Sequence, residues 1–406
     1  MKEQKNYFIL VLIFGALSTI SPFSVDMYLP AFPAIAKSLS TSISNVQLSL
    51  TSYLIGIAIG QLFYGPLLDK FGRKRPLYFG LWIYVAASIG CAFTSSVESL
   101  IFMRFVQAVG GCVGMVAAQA LVRDLFPVNK IAQAFALLTL VIAVSPMIAP
   151  TLGGYITAHF HWHWLFIILA FICTLIIFAG KWQLPDGAAP DPDISLRPGA
   201  VSIKYIEVLK NRQFLTFILV GGIAGAAPFA YIAGSSDVFI NVYGLTVTEY
   251  GWLFAFLSIA MIGATQLNHI LLNHFSNRTI VIAALCYQLV IGIIMILGVW
   301  TNTFNVYLLI AMMFIFLTGH GLSVPNSAAI SLAPFSKDAG SAAAMMGFMR
   351  MAFGGIISAL VSIFHNGSAI PMVILMAACI FIAGIVLVKY YYSNGELKKW
   401  YNSSHG

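Results

Sequence analysis

The chain has 406 residues, of which 60% are hydrophobic and only 8% charged, with a formal net charge of +8 and a mean hydropathy of +0.91. A soluble domain carries roughly a quarter of its residues as charges, so this composition excludes one. Apolar runs of about 20 residues, enough to cross about 30 Å of hydrocarbon, recur from end to end without period-two alternation; the fold class is all-α polytopic membrane protein, and a transmembrane barrel is excluded.

Twelve spans are expected, at about 7–30, 46–66, 76–94, 99–122, 132–157, 163–181, 213–235, 249–270, 279–300, 303–325, 339–363 and 368–391. The first starts near Tyr7 and runs into SPFSVDMYLPAFP (21–33) without a small-residue cleavage site. It therefore reads as an uncleaved span and not as a signal peptide. Asp26 is the only acid placed within a span away from its ends. An ionisable residue at that depth is a functional candidate, because a carboxyl group partly removed from water can take up and release a proton. Pro22, Pro30 and Pro33 are expected to break the helix around it and free carbonyls. The alternative is that span 1 ends early and Asp26 caps it at the external interface.

Between spans 2 and 3 lies GPLLDKFGRKRP (65–76), in which Asp69, Lys70, Arg73, Lys74 and Arg75 fall within seven residues. An anchor at the membrane surface needs only the bases. Gly65 allows close helix approach, Gly72 a tight turn, and Asp69 at a helix end can pair with bases. Span 4 carries Arg104 in RFVQAVGGCVG. A guanidinium at that depth is expected to face a cavity or to pair within the N-terminal bundle. In span 5, SPMIAPTLGGYI (145–156) combines Pro146 and Pro150, which weaken the helix ladder, with Gly153 and Gly154, which permit close packing.

His159, His161 and His163 with Trp162 and Trp164 form a loop at the headgroup level, with no acid or Cys beside them, so no metal site is expected. Tyr53, Phe229 and Tyr231 lie mid-span and are candidates for a pocket wall. Asp237 is expected to be a solvated rim residue. His320 is expected as a neutral imidazole bonded to a neighbouring helix. Arg350 in span 11 either faces the central cavity, contacting substrate or Asp26, or is a base anchored near helix ends or paired locally. The five cysteines (Cys91, Cys112, Cys173, Cys286, Cys379) are scattered in apolar runs and read as small core residues.

With the N-terminus inside, cytoplasmic segments hold Lys2, Lys5, Lys70, Arg73, Lys74, Arg75, Arg123, Lys130, Lys181, Arg197, Lys204, Lys210, Arg212, Arg278, Lys337, Lys389, Lys398 and Lys399. External loops hold only Lys37. This asymmetry places both termini in the cytoplasm and explains the positive charge without nucleic acid. The Pro-, Asp- and Gly-rich stretch 182–212 separates six spans from six, which divides the chain into a bundle at 1–181, a cytoplasmic linker at 182–212 and a bundle at 213–406. QLFYGPLLDKFGRK (61–74) aligns with QLNHILLNHFSNR (266–278), and QALVRDLFPVNKIA (119–132) with NSAAISLAPFSKDA (326–339), at a shared offset of about 205 residues. Lys130 meets Lys337 and Ala132 meets Ala339 in the second pairing.

GPLLDKFGRKRPL resembles the G-x-L-x-D-R-x-G-R-K-x-x-L signature of the major facilitator superfamily, with Lys70 in place of the usual Arg. The Arg104 stretch resembles the R-x-x-Q-G motif of its exporters, with Ala108 in place of Gly. The span 5 stretch resembles the G-P-x-x-G-G antiporter motif, with Ala149 in place of the first Gly. The pattern P-F-S-x-D-M-Y-L-P-A-x-P, with W-H-x-x-F at Trp162 to Phe166, is similar to drug-resistance transporters of the Bcr/CflA type. The resemblance implies two six-helix bundles around a midplane site and a monomer in the bacterial inner membrane. It implies export of small drugs of the chloramphenicol or bicyclomycin kind against entering protons; Asp26 is the expected proton carrier on the grounds given above, and no cofactor is expected. It also implies a latch of Gly65, Asp69, Gly72, Arg73 and Lys74 that holds the outward-facing state.

A metabolite carrier of the same fold is the alternative. No G-x-x-x-x-G-K-[ST] stretch occurs, and no acid pair or nucleophile with a His partner falls within the spans, so neither a P-loop ATPase nor a membrane enzyme is expected. If Arg104 and Arg350 both line the cavity, neutral, zwitterionic or anionic substrates fit it better than lipophilic dications.

Overall fold

Proline placement decides the shape of the first span. In the computed structural model, which describes residues 2–194, 196, 198–335 and 339–393, helix α1 (Lys2–Asp26) passes through Pro22 unbroken. The chain then turns, makes a single 3-10 turn at Leu29–Ala31 and re-enters a helix, α2 (Phe32–Ser38). Pro30 has no N–H for the carbonyl of Asp26, and Pro33 none for that of Leu29, so a continuous helix would lose both bonds. Met27, Tyr28, Leu29, Ala31 and Phe32 are all buried. The first span thus continues to Ser38, past its expected end near residue 30, and Pro22 does not break it. The bases Arg197, Lys337, Lys398 and Lys399 lie outside the described residues, as do the side chains of Lys2, Lys5 and Ala132.

The other spans follow the expected order. They are α3 (Ile43–Lys70), α4 (Lys74–Ala92), α5 (Val97–Leu125), α6 (Val128–His159) and α7 (His163–Gln183). A short linker helix, α8 (Pro198–Lys210), leads to α9 (Arg212–Ala224) and α10 (Ala227–Ser236), which ends in a π-helical turn at Asp237–Val242. The last five are α11 (Val247–Leu271), α12 (Asn277–Trp300), α13 (Val306–Leu332), α14 (Ala339–Ile363) and α15 (Ile370–Ser393). Ten spans among the described residues are long and apolar enough to cross a membrane. Helices α4 and α6, of 19 and 32 residues, stand where the third and fifth spans are expected and complete twelve. Side-chain caps start many of them: Ser42, Ser96, Asn211, Ser276 and Asn305 each accept a backbone N–H three residues on, and Thr246 with Glu249 forms a capping box.

The seventh span is broken like the first. Helix α9 stops before Gly225 and α10 restarts with Pro228 in its first turn. SPF at 21–23 and APF at 227–229 lie 206 residues apart (228 − 22), close to the offset of the other internal matches. Ile232 stands at the position equivalent to Asp26, so only the first copy carries the acid.

Helices α1 and α3–α7 pack among themselves, as do α9–α15, and the two groups meet along two seams, α3 on α14 and α6 on α11. The end of the molecule that carries the α3–α4 turn, with Lys70 to Arg75, is called the basic end below. At the opposite, far end the seams are closed by small polar contacts. Thr51 Oγ1 donates to Ser358 Oγ (3.0 Å), Ser362 Oγ to the Ser44 carbonyl (2.5 Å), and Thr151 Oγ1 to the Gly251 carbonyl (3.5 Å). Of the five cysteines, Cys286 is exposed and is not a core residue; the other four are buried.

Helix α6 runs unbroken through Pro146 and Pro150. Gly153 is pressed against the Met27 carbonyl at the break in span 1, where a Cβ would collide with backbone. Gly153→Ala is expected to cost about 1–3 kcal/mol through overpacking. Gly263→Ala in α11 meets nothing within 4 Å and should be neutral or slightly stabilising. Thermal midpoints of the two purified variants would check this, and equal midpoints would contradict the packing described.

Candidate substrate and proton-coupling site

The break at Asp26 leaves a helix end inside the protein. The amide of Tyr28 bonds to the Val25 carbonyl, so the Ser24 carbonyl is not taken up by the helix ladder. Arg104, fully buried on α5, supplies the donor: its Nη2 lies 3.1 Å from the Ser24 oxygen. Its Nη1 donates to Gln107 Oε1 (2.6 Å), and Gln107 Nε2 donates to Ser88 Oγ (2.7 Å). The guanidinium sits 4.0 Å from the ring centre of Tyr53 and 4.5 Å from that of Tyr28. No carboxylate pairs with Arg104 among the described residues. A carbonyl at a helix C-terminus, an amide oxygen and two aromatic faces hold the charge instead. Arg104 and Tyr53 therefore sit inside the first bundle and do not line the cavity described below.

Asp26 is 5% exposed and ends α1. No hydrogen bond or ion pair joins it to another described residue. The turn that follows it packs on α6, α10 and α11, and its carboxyl lies near enough to Tyr231 and Tyr250 to act on them electrostatically. Tyr231 is buried and stacks on Phe254 with ring centres 5.2 Å apart. Phe229 fills the space beside Gly354 on α14. The structure therefore brings Asp26 and Tyr231 together, away from both arginines.

A cavity of about 630 Å³ opens between the bundles at the basic end. Its walls include Gln61, Gly65 and Asp69 of α3, Gln119 and Arg123 of α5, and Lys204 and Tyr205 of α8. Phe217 and Gly221 of α9 and Gly347 and Arg350 of α14 face them. Neither Arg123, Lys204 nor Arg350 belongs to an ion pair among the described residues, so the cavity is electropositive. Arg350 Nε and His320 Nδ1 are buried without a hydrogen-bond partner, so Nδ1 does not make the bond to a neighbouring helix expected of His320. Asp26 does not line this cavity, and the contact between Arg350 and Asp26 is not formed.

At the cavity mouth the turn after α3 closes through Gly72, whose φ of +79° suits glycine. Arg73 pairs with Asp69 four residues back and with Asp124 at the end of α5 (Nε to Oδ2, 2.7 Å). Asp124 also accepts the amide of Ala188 (2.9 Å), Lys70 Nζ donates to the Ile194 carbonyl (2.9 Å), and Lys74 reaches Asp186 (2.7 Å). The whole cluster is thus tied within the first bundle and the linker. Gly65 has no atom within 4 Å of its would-be Cβ, so the close helix approach expected there is absent in this form. In α6, by contrast, Gly154 lies against the Val247 carbonyl of α11, across the second seam.

Asp237 departs from expectation. It is 5% exposed, not a solvated rim residue, and accepts from His365 Nε2 (2.6 Å) and Asn241 Nδ2 (2.7 Å). The seventh span runs on to Val242, past its expected end at residue 235, so Asp237 lies inside it. Asp124, Gln61, Gln119 and His365 were not singled out in the sequence either. Gln61, Gly65 and Asp69 follow an i, i+4, i+8 spacing, and Gln119 and Arg123 an i, i+4 spacing, so each set marks one helix face. That polar stripe in apolar spans was the available signal.

Two bundles sealed at one end, with a walled cavity open at the other, define a multi-pass membrane carrier. The model of the Major Facilitator Superfamily matches residues 14–359, and the chain belongs to that family of transporters, which are not enzymes. A bicyclomycin resistance protein homolog of Haemophilus influenzae is 32% identical over 404 residues, covering 98% of this chain and 99% of that protein. Multidrug resistance protein D of Escherichia coli is 28% identical over 369 residues, covering 89% and 90%. Among solved structures, a POT family transporter in complex with a thioalcohol-conjugated peptide superposes with a TM-score of 0.75 at 13% identity, over 95% of this chain and 96% of that one. A bacterial homolog of the human lysosomal transporter Spinster, inward-facing and unoccupied, gives 0.73 at 12% identity over 95% and 96%. At these identities the likeness to the two structures shows the fold.

Replacing Arg104 by Met keeps most of its volume but strands the Ser24 carbonyl and Gln107, which should cost about 1–3 kcal/mol for each group left unpaired. Denaturation of the purified variant reads this. Arg73→Ala and Asp124→Ala should each reduce transport, and the double variant should be no worse than either, with a coupling of about 0.5–3 kcal/mol. Strictly additive losses would separate the two residues.

Proposed function

We propose that this chain is a proton-coupled exporter of small drugs in a bacterial inner membrane, with both termini in the cytoplasm. The observation that carries the reading is the position of Asp26: an unpaired, buried carboxyl at a helix break, on the sealed side of the molecule relative to the cavity. The basic end is then cytoplasmic, because bases concentrate on cytoplasmic loops. The form described is inward-facing, with the cavity open to drug from the cytoplasm. Relatives named for bicyclomycin and multidrug resistance support a drug as the cargo. Both seams are completed within one chain, which supports a monomer as the working unit.

Transport proceeds by rocking of the bundles about the midplane. Drug enters the electropositive cavity, and neutral, zwitterionic or anionic molecules suit the free Arg123, Lys204 and Arg350. The α3 and α14 faces then close over Gly65, whose bare backbone leaves room for the approach. The far-end contacts at Ser44, Thr51, Thr151, Ser358 and Ser362 open. Drug leaves, a proton from outside neutralises Asp26, the neutral carboxyl allows the far end to reseal, and the return to the inward-facing form delivers that proton to the cytoplasm. Pro146, Pro150, Gly153 and Gly154 keep α6 close to the break and to α11 as the seam re-forms.

Inverted membrane vesicles with chloramphenicol and a small drug panel test this. Wild type is expected to move protons on drug addition, and Asp26→Asn to bind drug but move none. Proton movement retained in Asp26→Asn would assign the carrier elsewhere. No movement in wild type across the panel would favour a metabolite carrier, and efficient transport of a lipophilic dication would contradict the charge argument. Gly65→Leu is expected to bind drug from the cytoplasmic side yet lose transport by about tenfold or more, because the added side chain blocks closure.

A further inference from the structure

The carboxyl of Asp237 has no part in the cycle above, yet it is held more closely than Asp26. Its two oxygens accept from different partners, Oδ1 from Asn241 and Oδ2 from His365. His365 lies in the loop between α14 and α15 at the far end, and its side chain is 26% exposed while that of Asp237 is 7% exposed. One member of the pair thus touches the outside and the other is buried.

Polar groups continue inward from the pair. Ser235 and Ser236 precede Asp237 and are both fully buried. Ser235 Oγ shares a hydrogen bond with Tyr250 Oη (2.7 Å), and Tyr250 lies within electrostatic reach of Asp26. Ser236 Oγ and Tyr231 Oη are buried with no hydrogen-bond partner. A purely structural clamp explains the His365 bond. It does not explain two unsatisfied hydroxyls, Ser236 and Tyr231, buried in an apolar bundle with the bonded pair Ser235–Tyr250, since buried polar groups are normally paired.

We propose that His365 and Asp237 form an outer proton-binding pair that loads Asp26 through the hydroxyls of Ser235, Ser236, Tyr231 and Tyr250. This rests on the reading of Asp26 as the proton carrier. A proton from outside water binds Nδ1 of His365. The Nε2 proton then passes to Oδ2 of Asp237, leaving a neutral imidazole, and from that carboxyl it moves along the hydroxyls to Asp26. One proton enters and one arrives, Asp237 returns to its ionised form, and exchange of the Nδ1 proton for one at Nε2 through outside water restores the donor to Oδ2. The titratable groups on the elements packed against the π-helical turn are Tyr231 on α10 and Tyr250 and Glu249 on α11, with Tyr243 just after the turn. Glu249 is engaged by Thr246 in its helix cap.

The probe can be the proton alone. The full chain in proteoliposomes, with a fluorophore on a cysteine introduced at Ser44, is stepped from about pH 8 to about pH 6 outside. The far-end seam at Ser44 and Ser362 should respond. His365→Gln keeps a donor for Asp237 but cannot carry the proton. It is expected to slow the response at least about tenfold and flatten its pH profile. Asp26→Asn should abolish the response.

A His365→Gln response with wild-type rate and pH profile would overturn the proposal and leave a structural pin. A response kept in Asp26→Asn but lost in His365→Gln would make the pair itself the carrier, which overturns its loading role. A response kept in both would remove the Asp26 reading as well. His365→Ala, checked for an unchanged thermal midpoint, repeats the test if His365→Gln folds poorly.

Discussion

The bond from Arg104 to the Ser24 carbonyl is the contact on which the site depends. Pro30 and Pro33 remove two bonds from the ladder of the first span, and the helix ends at Asp26, inside the bundle. An open carbonyl there would be costly, and water is the usual remedy. This protein uses a guanidinium. Gln107, Ser88 and the rings of Tyr53 and Tyr28 then hold the guanidinium in turn, so α1, α3, α4 and α5 are joined through one charge. With the break fixed, Asp26 lies within electrostatic reach of Tyr231 and Tyr250, and no counter-ion among the described residues pairs with it. A carboxyl that changes charge during a cycle requires that freedom.

The two ends of the molecule are built from different chemistry. Small hydroxyls and glycines seal the far end, where side chains as short as Ser and Thr let backbones meet and each contact is individually weak. Such a seal can open at little cost. At the basic end the bonds are charged, but they run within the first bundle and to the linker. Among the described residues, Arg73, Asp69 and Asp124 hold none of the second bundle in this form. The residues for which the family resemblance implies a latch thus bond within one bundle and the linker while the cavity is open. Tyr205 of the linker helix, whose hydroxyl donates to the Leu62 carbonyl (2.9 Å), spans the two bundles at this end.

Much of this was legible in the sequence. Span number follows from hydropathy, and the α3–α4 turn from its glycines and charges. Family membership is visible in GPLLDKFGRKRPL. The depth and isolation of Asp26 could be suspected from its place among prolines. The positions of Arg104 and Asp237 could not be read that way. Sequence shows that an arginine is in a span but not which of its faces points inward, and Arg104 turns toward a carbonyl that exists only because of a break 80 residues earlier. Asp237 is buried because the seventh span extends to Val242, seven residues past the end that hydropathy suggests. Long-range pairs such as Asp237 with His365 join segments 128 residues apart with no local pattern to announce them.

The central claim is that protonation of Asp26 sets which end of the carrier is open. The most direct test is the spin-label distance between the basic ends of α3 and α14, at positions 67 and 341, as pH is varied with and without drug. Wild type is predicted to show the long, inward-open distance at acidic pH and to shift to the short one at alkaline pH with drug. Asp26→Asn should stay long throughout. A variant that shifts with pH as the wild type does would contradict the account.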